Sequence, residues 1–511
     1  MHTPFYSHSS NLPYLPVFPF FISMPTIMKR IYRSVTALAF LFSLQFVSCK
    51  SIVDGLNVDP NNPTSAPAAL VFTGTELANI ATQEGMASRL TTIWSGYATG
   101  ADRQWKDYFN YNVTAGVYDA DWNLVFQGVN ANALTAIQKA TQLGNQKMVG
   151  ISKIIRANAL ATGTELWGDI PFDEAGDMAR FPNPKFESQA AVYTKLIALV
   201  DEGIADLNAG IGTVGAEDIH FGGDATKWKQ VAYTLKARLL TDTKQYEAAY
   251  TAALSGISAN ANSLIAPHGI TTGVNENHYF SFLTNQRLGD IYAVGAYAVG
   301  IMNPTSALYR GNAKTNETAR FKFYYQENGV NTPGRIEPNT SSSATASGFY
   351  ARSASFPLIT YQENILTLAE MALRSGKGFT VALDHLNRYR AFLNTGGYIN
   401  STYLTAGSYK YDPYIAADFE TGGIENKDGI TADNALLREI LQERYISFYG
   451  QHIGWNDERR TRTEAYGIKL TPNNGTELPW RFIYSQNELN SNPNSPKPFP
   501  GTFTTMAIYA K

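Results

Sequence analysis

The chain has 511 residues, 44% of them apolar, and a formal net charge of −2, enough for a large core but without the basic footprint of a nucleic-acid binder. A single cysteine excludes an internal disulfide and a cysteine-based zinc site. Against only 16% charged residues stand 30 Tyr, 27 Phe and 7 Trp, rings that suit either a core or a binding surface.

Residues 1–27 hold Pro13, Pro16, Pro19 and Pro25, which break any helix there, and the order of an export signal begins only at Met28. Lys29, Arg30 and Arg33 make a positive segment. Residues 35–47 are uncharged and apolar, a run of about 13, inside the roughly 7–15 of a signal-peptide core and short of the ~20 that span a bilayer. Ser48 and Cys49 follow, an arrangement that resembles a bacterial lipobox, where the thiol is acylated and becomes the first mature residue. The expected organisation is a non-native extension at 1–27, a signal peptide at 28–48, a lipidated tether at 49–66 and a single domain at 67–511.

Ser65 ahead of Pro67 reads as a helix start. NALTAIQKATQL places Leu134, Ile137 and Thr141 on one face, Gly144-Asn145 stops it, and KMVGISKIIRANAL resumes with Met148, Ile151 and Ile155, the pattern of a helical hairpin. SQAAVYTKLIALVDEGIADL carries a stripe of Val192, Leu196, Leu199 and Leu207, with Ser188 as its cap. DATKWKQVAYTLKARLL repeats the pattern through Trp228, Val231, Leu235 and Leu239. Helical patterns recur in YEAAYTAALSGI, ENILTLAEMAL, VALDHLNRYRAFL and DNALLREILQERYISFYG. The expected fold is mainly α, tetratricopeptide-like stacked helical hairpins without a clean 34-residue repeat. Long irregular stretches near 257–350 and 394–431, rich in Gly, Asn, Ser, Thr and Tyr, are the places where function is expected.

Motifs for catalysis fail their context. GIGTVG at 210–215 matches the dinucleotide fingerprint as a string but follows a helix, whereas that motif needs a strand before it. The chain has neither an HExxH nor a G-x-S-x-G elbow. Carboxylates cluster at Asp169, Asp173, Glu174 and Asp177, and at Asp457-Glu458 beside Arg459 and Arg460, where ion pairing is the simpler use.

ELWGDIPFDEA, FESQAAVYTKLIALVDEGIADL and GGDATKWKQVAYTLKARLL in that order resemble the SusD/RagB family of nutrient-binding outer-membrane lipoproteins. NVDPNNP, ILTLAE, ERYISFYG and GWNDERRT add to it, as does RFIYSQNELNSN, which has Ser485 where Pro is common in the family. The resemblance runs from Cys49 to the C-terminus. Its motifs read as scaffold: Gly168 ending a helix, Asp169 bonding loop amides, Trp228 in the core, and Arg459 or Arg460 paired with Asp457 or Glu370.

What the resemblance implies is capture without catalysis or cofactor. Such proteins, acylated at the N-terminus, cap a SusC-like TonB-dependent β-barrel transporter and close over an oligosaccharide or peptide. Candidate ligand contacts are Trp94, Tyr97, Asp102, Arg103, Trp105 and Tyr108 in the loop after the first helix, and Tyr279, Arg287, Asp290 and Tyr292 in NHYFSFLTNQRLGDIY. Tyr409, Tyr411 and Tyr414 form a third group. Flat rings stack on sugar faces while polar groups fix hydroxyls. The alternatives are peptide capture by the same architecture, a surface glycosidase, and a helical scaffold that binds only protein.

Overall fold

Pro67 opens the first helix, α1 (Ala68–Glu84), and Gly85 breaks it from α2 (Met86–Trp94). A Cβ at Gly85 would stand 2.6 Å from the Ala81 carbonyl oxygen, so this junction requires glycine. The computed structural model describes residues 66–327, 335–343 and 346–510. The signal and residues 49–65 of the tether, Cys49 and Ser65 included, lie outside them.

The hairpins arise from capping. A short helix, α3 (Arg103–Phe109), precedes a helical run that is π-helical over Leu124–Ala131 and ends as α4 (Asn132–Gln142). Asn145 Oδ1 then accepts from the Met148 amide at 3.2 Å and starts α5 (Gln146–Trp167). Ser188 Oγ accepts from the Ala191 amide at the head of α6 (Gln189–Ala209), and Asp224 Oδ1 from the Thr226 and Lys227 amides at the head of α7 (Ala225–Asp242). The array continues through α8 (Tyr246–Ala253), α9 (Tyr361–Arg374), α10 (Phe379–Asn394), α11 (Ala432–Ser447) and α12 (His452–Thr461). From α4 to α10 each helix packs on the next, and α11 packs on α9. This is the mainly helical, stacked-hairpin architecture expected.

The stripes of α6 and α7 are buried as read, with Trp228 fully enclosed and its Nε1 donating to Asp218 at 2.7 Å. In α4 the buried face differs from expectation. Ala133, Ala136 and Ala140 are fully buried, while Leu134 and Ile137 are half-buried and Thr141 is exposed. Small side chains allow α4 a close approach to its neighbours, which the larger residues would prevent.

The GWNDERRT motif is scaffold. Arg460 donates to Asp457 at 2.7 Å and to both Glu370 oxygens at 2.6 Å. Asp169 accepts from the Gln189 amide at 2.7 Å, and Gly168, at φ 83°, ends α5. Of the first acidic cluster, Asp173, Glu174 and Asp177 pair with Lys195, Lys185 and Arg180 on the surface.

Strands among the described residues are two to four residues long, in two-stranded antiparallel ladders. They clip the irregular stretches together. Thr99–Gly100 pairs with Ile291–Tyr292, Leu264–Ala266 with Phe356–Ile359, and Thr315–Asn316 with Lys410–Tyr411. The last ladder joins the insertion between α8 and α9 to the insertion between α10 and α11.

Candidate functional site

The two insertions meet above the start of α9 and the end of α11 and leave a cleft of about 350 Å³. Phe323 and Phe349 come from the first insertion, Tyr398 and Asn400 from the second, Gln362 from α9, and Gln451 from just beyond α11. Phe323 and Phe349 are each 8% exposed, and Tyr398 is half-buried. Tyr398 is held in place by a hydrogen bond between its hydroxyl and that of Tyr324, whose ring stacks on Tyr449 at 4.4 Å. The rings of the cleft therefore rest on a tyrosine stack rooted in the core.

Polar atoms complete the cleft. The amide oxygens of Gln362 and Gln451, two residues of the lining, are buried without a hydrogen-bond partner, so each is an unused acceptor in the cleft wall. Not one of the residues lining the cleft carries a charge at neutral pH. Rings with amide and hydroxyl groups can hold an uncharged polyhydroxylated ligand. Glycoside hydrolysis needs two carboxyl groups across the scissile bond, and this lining supplies neither.

The structure brings the first two predicted groups together, but by packing. Besides the ladder that joins them, Arg103 forms an ion pair with Asp290, whose side chain is fully buried. Trp94, Tyr97, Trp105 and Tyr279 are at most 2% exposed and belong to the core, contrary to the expectation that they face a ligand. Trp94 Nε1 donates to the Tyr108 carbonyl at 2.9 Å, and the Tyr97 ring stacks on Tyr445 at 4.4 Å. Trp105 packs edge-on against Phe282, and Tyr279 stacks on Tyr350 at 4.2 Å. Asp102 is exposed and caps α3. Tyr108 and Tyr292 are half-buried and Arg287 is exposed, and none of the three lines the cleft. Of the third group, Tyr411 and Tyr414 are buried and bonded to Glu317 and Glu425. Sequence reasoning missed Phe323, Phe349, Tyr398, Asn400, Gln362 and Gln451. The aromatic run FKFYYQ, inside one of the stretches marked for function, was the available signal.

A helical-hairpin array whose long insertions build an uncharged aromatic cleft defines a binding protein of the SusD class. Residues 60–485 match the SusD-like family described as starch-binding and associating with the outer membrane, and the chain belongs to that family. Among solved structures it is similar to a SusD/RagB family protein from Bacteroides thetaiotaomicron (TM-score 0.64, 19% identity, 84% of this chain and 95% of that one). It is also similar to a SusD homolog from Bacteroides uniformis (0.62, 17%, 87% and 99%) and to a chitin-binding SusD homolog from Flavobacterium johnsoniae (0.62, 17%, 86% and 98%). No curated protein matches the chain significantly.

Proposed function

We propose that this protein is a surface lipoprotein, anchored through acylated Cys49, that captures an oligosaccharide in the Tyr398 cleft and caps a SusC-like TonB-dependent β-barrel transporter for its uptake. The observation that carries the ligand reading is the cleft itself, where aromatic rings and unpartnered amide oxygens meet without a charged group. Family membership and the chitin-binding neighbour support a saccharide. The lipobox-like order ending at Cys49 supports the anchor.

Two measurements test this. Tyr398→Ala is expected to weaken oligosaccharide binding about tenfold, the scale of a lost ring contact, while Tyr398→Phe retains most of it. Isothermal titration with hits from a combined glycan and peptide screen reads the difference, and hits confined to peptides would overturn the saccharide reading. For the partner, tagged protein purified from gently solubilised outer membranes of the native host should bring down a stoichiometric β-barrel, depleted for Cys49→Ala. Wild-type protein without a barrel, under conditions that preserve a known transporter–lipoprotein pair, would refute the cap.

A further inference from the structure

Arg89, set among buried rings, is left with its donors largely unused. Arg89 of α2 lines a second cleft, of about 310 Å³, with Gly273, Glu276, His278, Ser281 and Gln286. Its guanidinium carbon lies 4.3 Å from the ring centroid of Phe282, 5.8 Å from that of Tyr279 and 6.0 Å from that of Trp105. The buried rings of the predicted site thus form a π cradle for this cation.

A guanidinium has five N–H donors. Arg89 finds one protein acceptor, the Glu84 carbonyl at 3.3 Å, and its buried Nε has none. No carboxylate of the described residues lies within ion-pairing distance of it. Buried Arg459 also lacks a carboxylate, but it donates to the Trp455 and Trp480 carbonyls and to Asn456. The acidic neighbours of Arg89, namely Glu84, Asp121 and Glu276, each form hydrogen bonds elsewhere through one oxygen and keep the other without one, and none pairs with the guanidinium. Glu276 accepts from the Gly273 amide and from Asn285 and faces Arg352 at 3.8 Å, and Glu84 shares a hydrogen bond with His268 at 2.9 Å. Burial pushes the Arg89 guanidinium below its ordinary pKa, a penalty that a bound anion relieves.

A third depression lies between the two clefts. Ser347 lines both the aromatic cleft and this depression, and Arg352 of the depression is the ion-pair partner of Glu276 in the Arg89 cleft. We propose that the captured glycan is acidic: its uncharged units occupy the aromatic cleft, and a uronic-acid unit reaches Arg89, which receives the carboxylate. This rests on the oligosaccharide reading above. With one protein acceptor used, Arg89 keeps N–H donors to spare, and a guanidinium can give a carboxylate two parallel hydrogen bonds.

The test is a library of oligosaccharides in matched neutral, C6-carboxylate and sulfate-ester forms, titrated against wild type, Arg89→Gln and Tyr398→Ala, each checked for folding by circular dichroism. Wild type is expected to prefer the carboxylate form about tenfold or more over its neutral match. Arg89→Gln should bind the two alike, and Tyr398→Ala should weaken both in parallel. The wild-type preference should also shrink as ionic strength rises, a readout that needs no variant. Equal binding of the pair by wild type, a preference that survives in Arg89→Gln, or selection of sulfate alone would overturn the assignment. Hits among neutral glycans only would remove it while leaving the oligosaccharide reading intact, and a library without hits would remove both.

Discussion

Replacing Arg320 by Met should destabilise the protein by about 3–5 kcal/mol, the usual cost of breaking a buried ion pair from one side. Arg320 is fully buried between two equally buried carboxylates. Its Nε and Nη2 donate to Glu317 at 2.8 and 2.7 Å, and its Nη1 to Glu443 at 2.6 Å. Arg310 reaches the same two residues and Glu439, while the Tyr411 hydroxyl donates to Glu317 at 2.8 Å. Burial alone would raise the Glu443 carboxyl, but the Arg320 and Arg310 guanidiniums outweigh it and hold it well below the ordinary carboxylate range. Arg310, Glu317 and Arg320 come from the first insertion, Tyr411 from the second, and Glu439 and Glu443 from α11. The network therefore fastens both insertions to the array. Phe323 follows Arg320 in the same short helix, and Ser447, one turn beyond Glu443, lines the cleft. Urea denaturation reads the stability loss, and ligand titration should show a weakened cleft although none of its lining residues has changed. A loss below about 1 kcal/mol would mean that Arg310 alone satisfies both carboxylates.

The helical half of this architecture was legible because its signal is local. Val192, Leu196 and Leu199 recur at helical spacing and are buried together, and Ser188 caps the helix that carries them. The ion pairing of Arg460 followed from charges close in sequence and one more in ILTLAE. The insertions were legible as places, since long stretches rich in rings and turn residues rarely lack purpose in a compact protein. The direction of each ring was not. Tyr97 is fixed by a stack on Tyr445 and a hydrogen bond to the Tyr445 carbonyl at 2.5 Å, a residue 348 positions away. Trp105 is covered by Phe282 from the first insertion. The two-residue ladder that joins 99–100 to 291–292 has no periodicity to reveal it. In a chain poor in charge, loop aromatics build the loops' own core first, and the ligand cleft is left to rings such as Tyr398.

A second large effect is expected in alkaline solution. Glu76 of α1 is fully buried; Oε2 accepts from the Ile219 amide at 3.0 Å, and Oε1 has no partner. Burial first, then the neighbouring Asp218 charge, pushes its carboxyl up from 4.5 to about 10. Asp218 accepts from the Gly223 amide and Trp228 Nε1, both at 2.7 Å, so its position is fixed by the α7 scaffold. A carboxyl raised in this way contributes stability in full below its unfolded pKa, and that contribution is lost as pH rises from about 4.5 through its folded value. Asp242, raised to about 8 by burial and then by Glu165, acts in the same direction. Glu370 and Glu443 act oppositely, since arginines outweigh burial and depress them, and their contribution is lost as pH falls below the ordinary carboxylate range. Stability should therefore peak in mildly acidic solution and decline toward both ends. Glu76→Gln replaces a protonated carboxyl by a neutral amide of the same shape. It should match wild type near pH 4.5 and exceed it by up to about 5 kcal/mol at pH 8.5, at about 1.4 kcal/mol per pH unit, with a shallower alkaline decline in urea midpoints. Parallel pH profiles for the two proteins would show that Glu76 is ionised in its buried site and that the alkaline loss originates elsewhere.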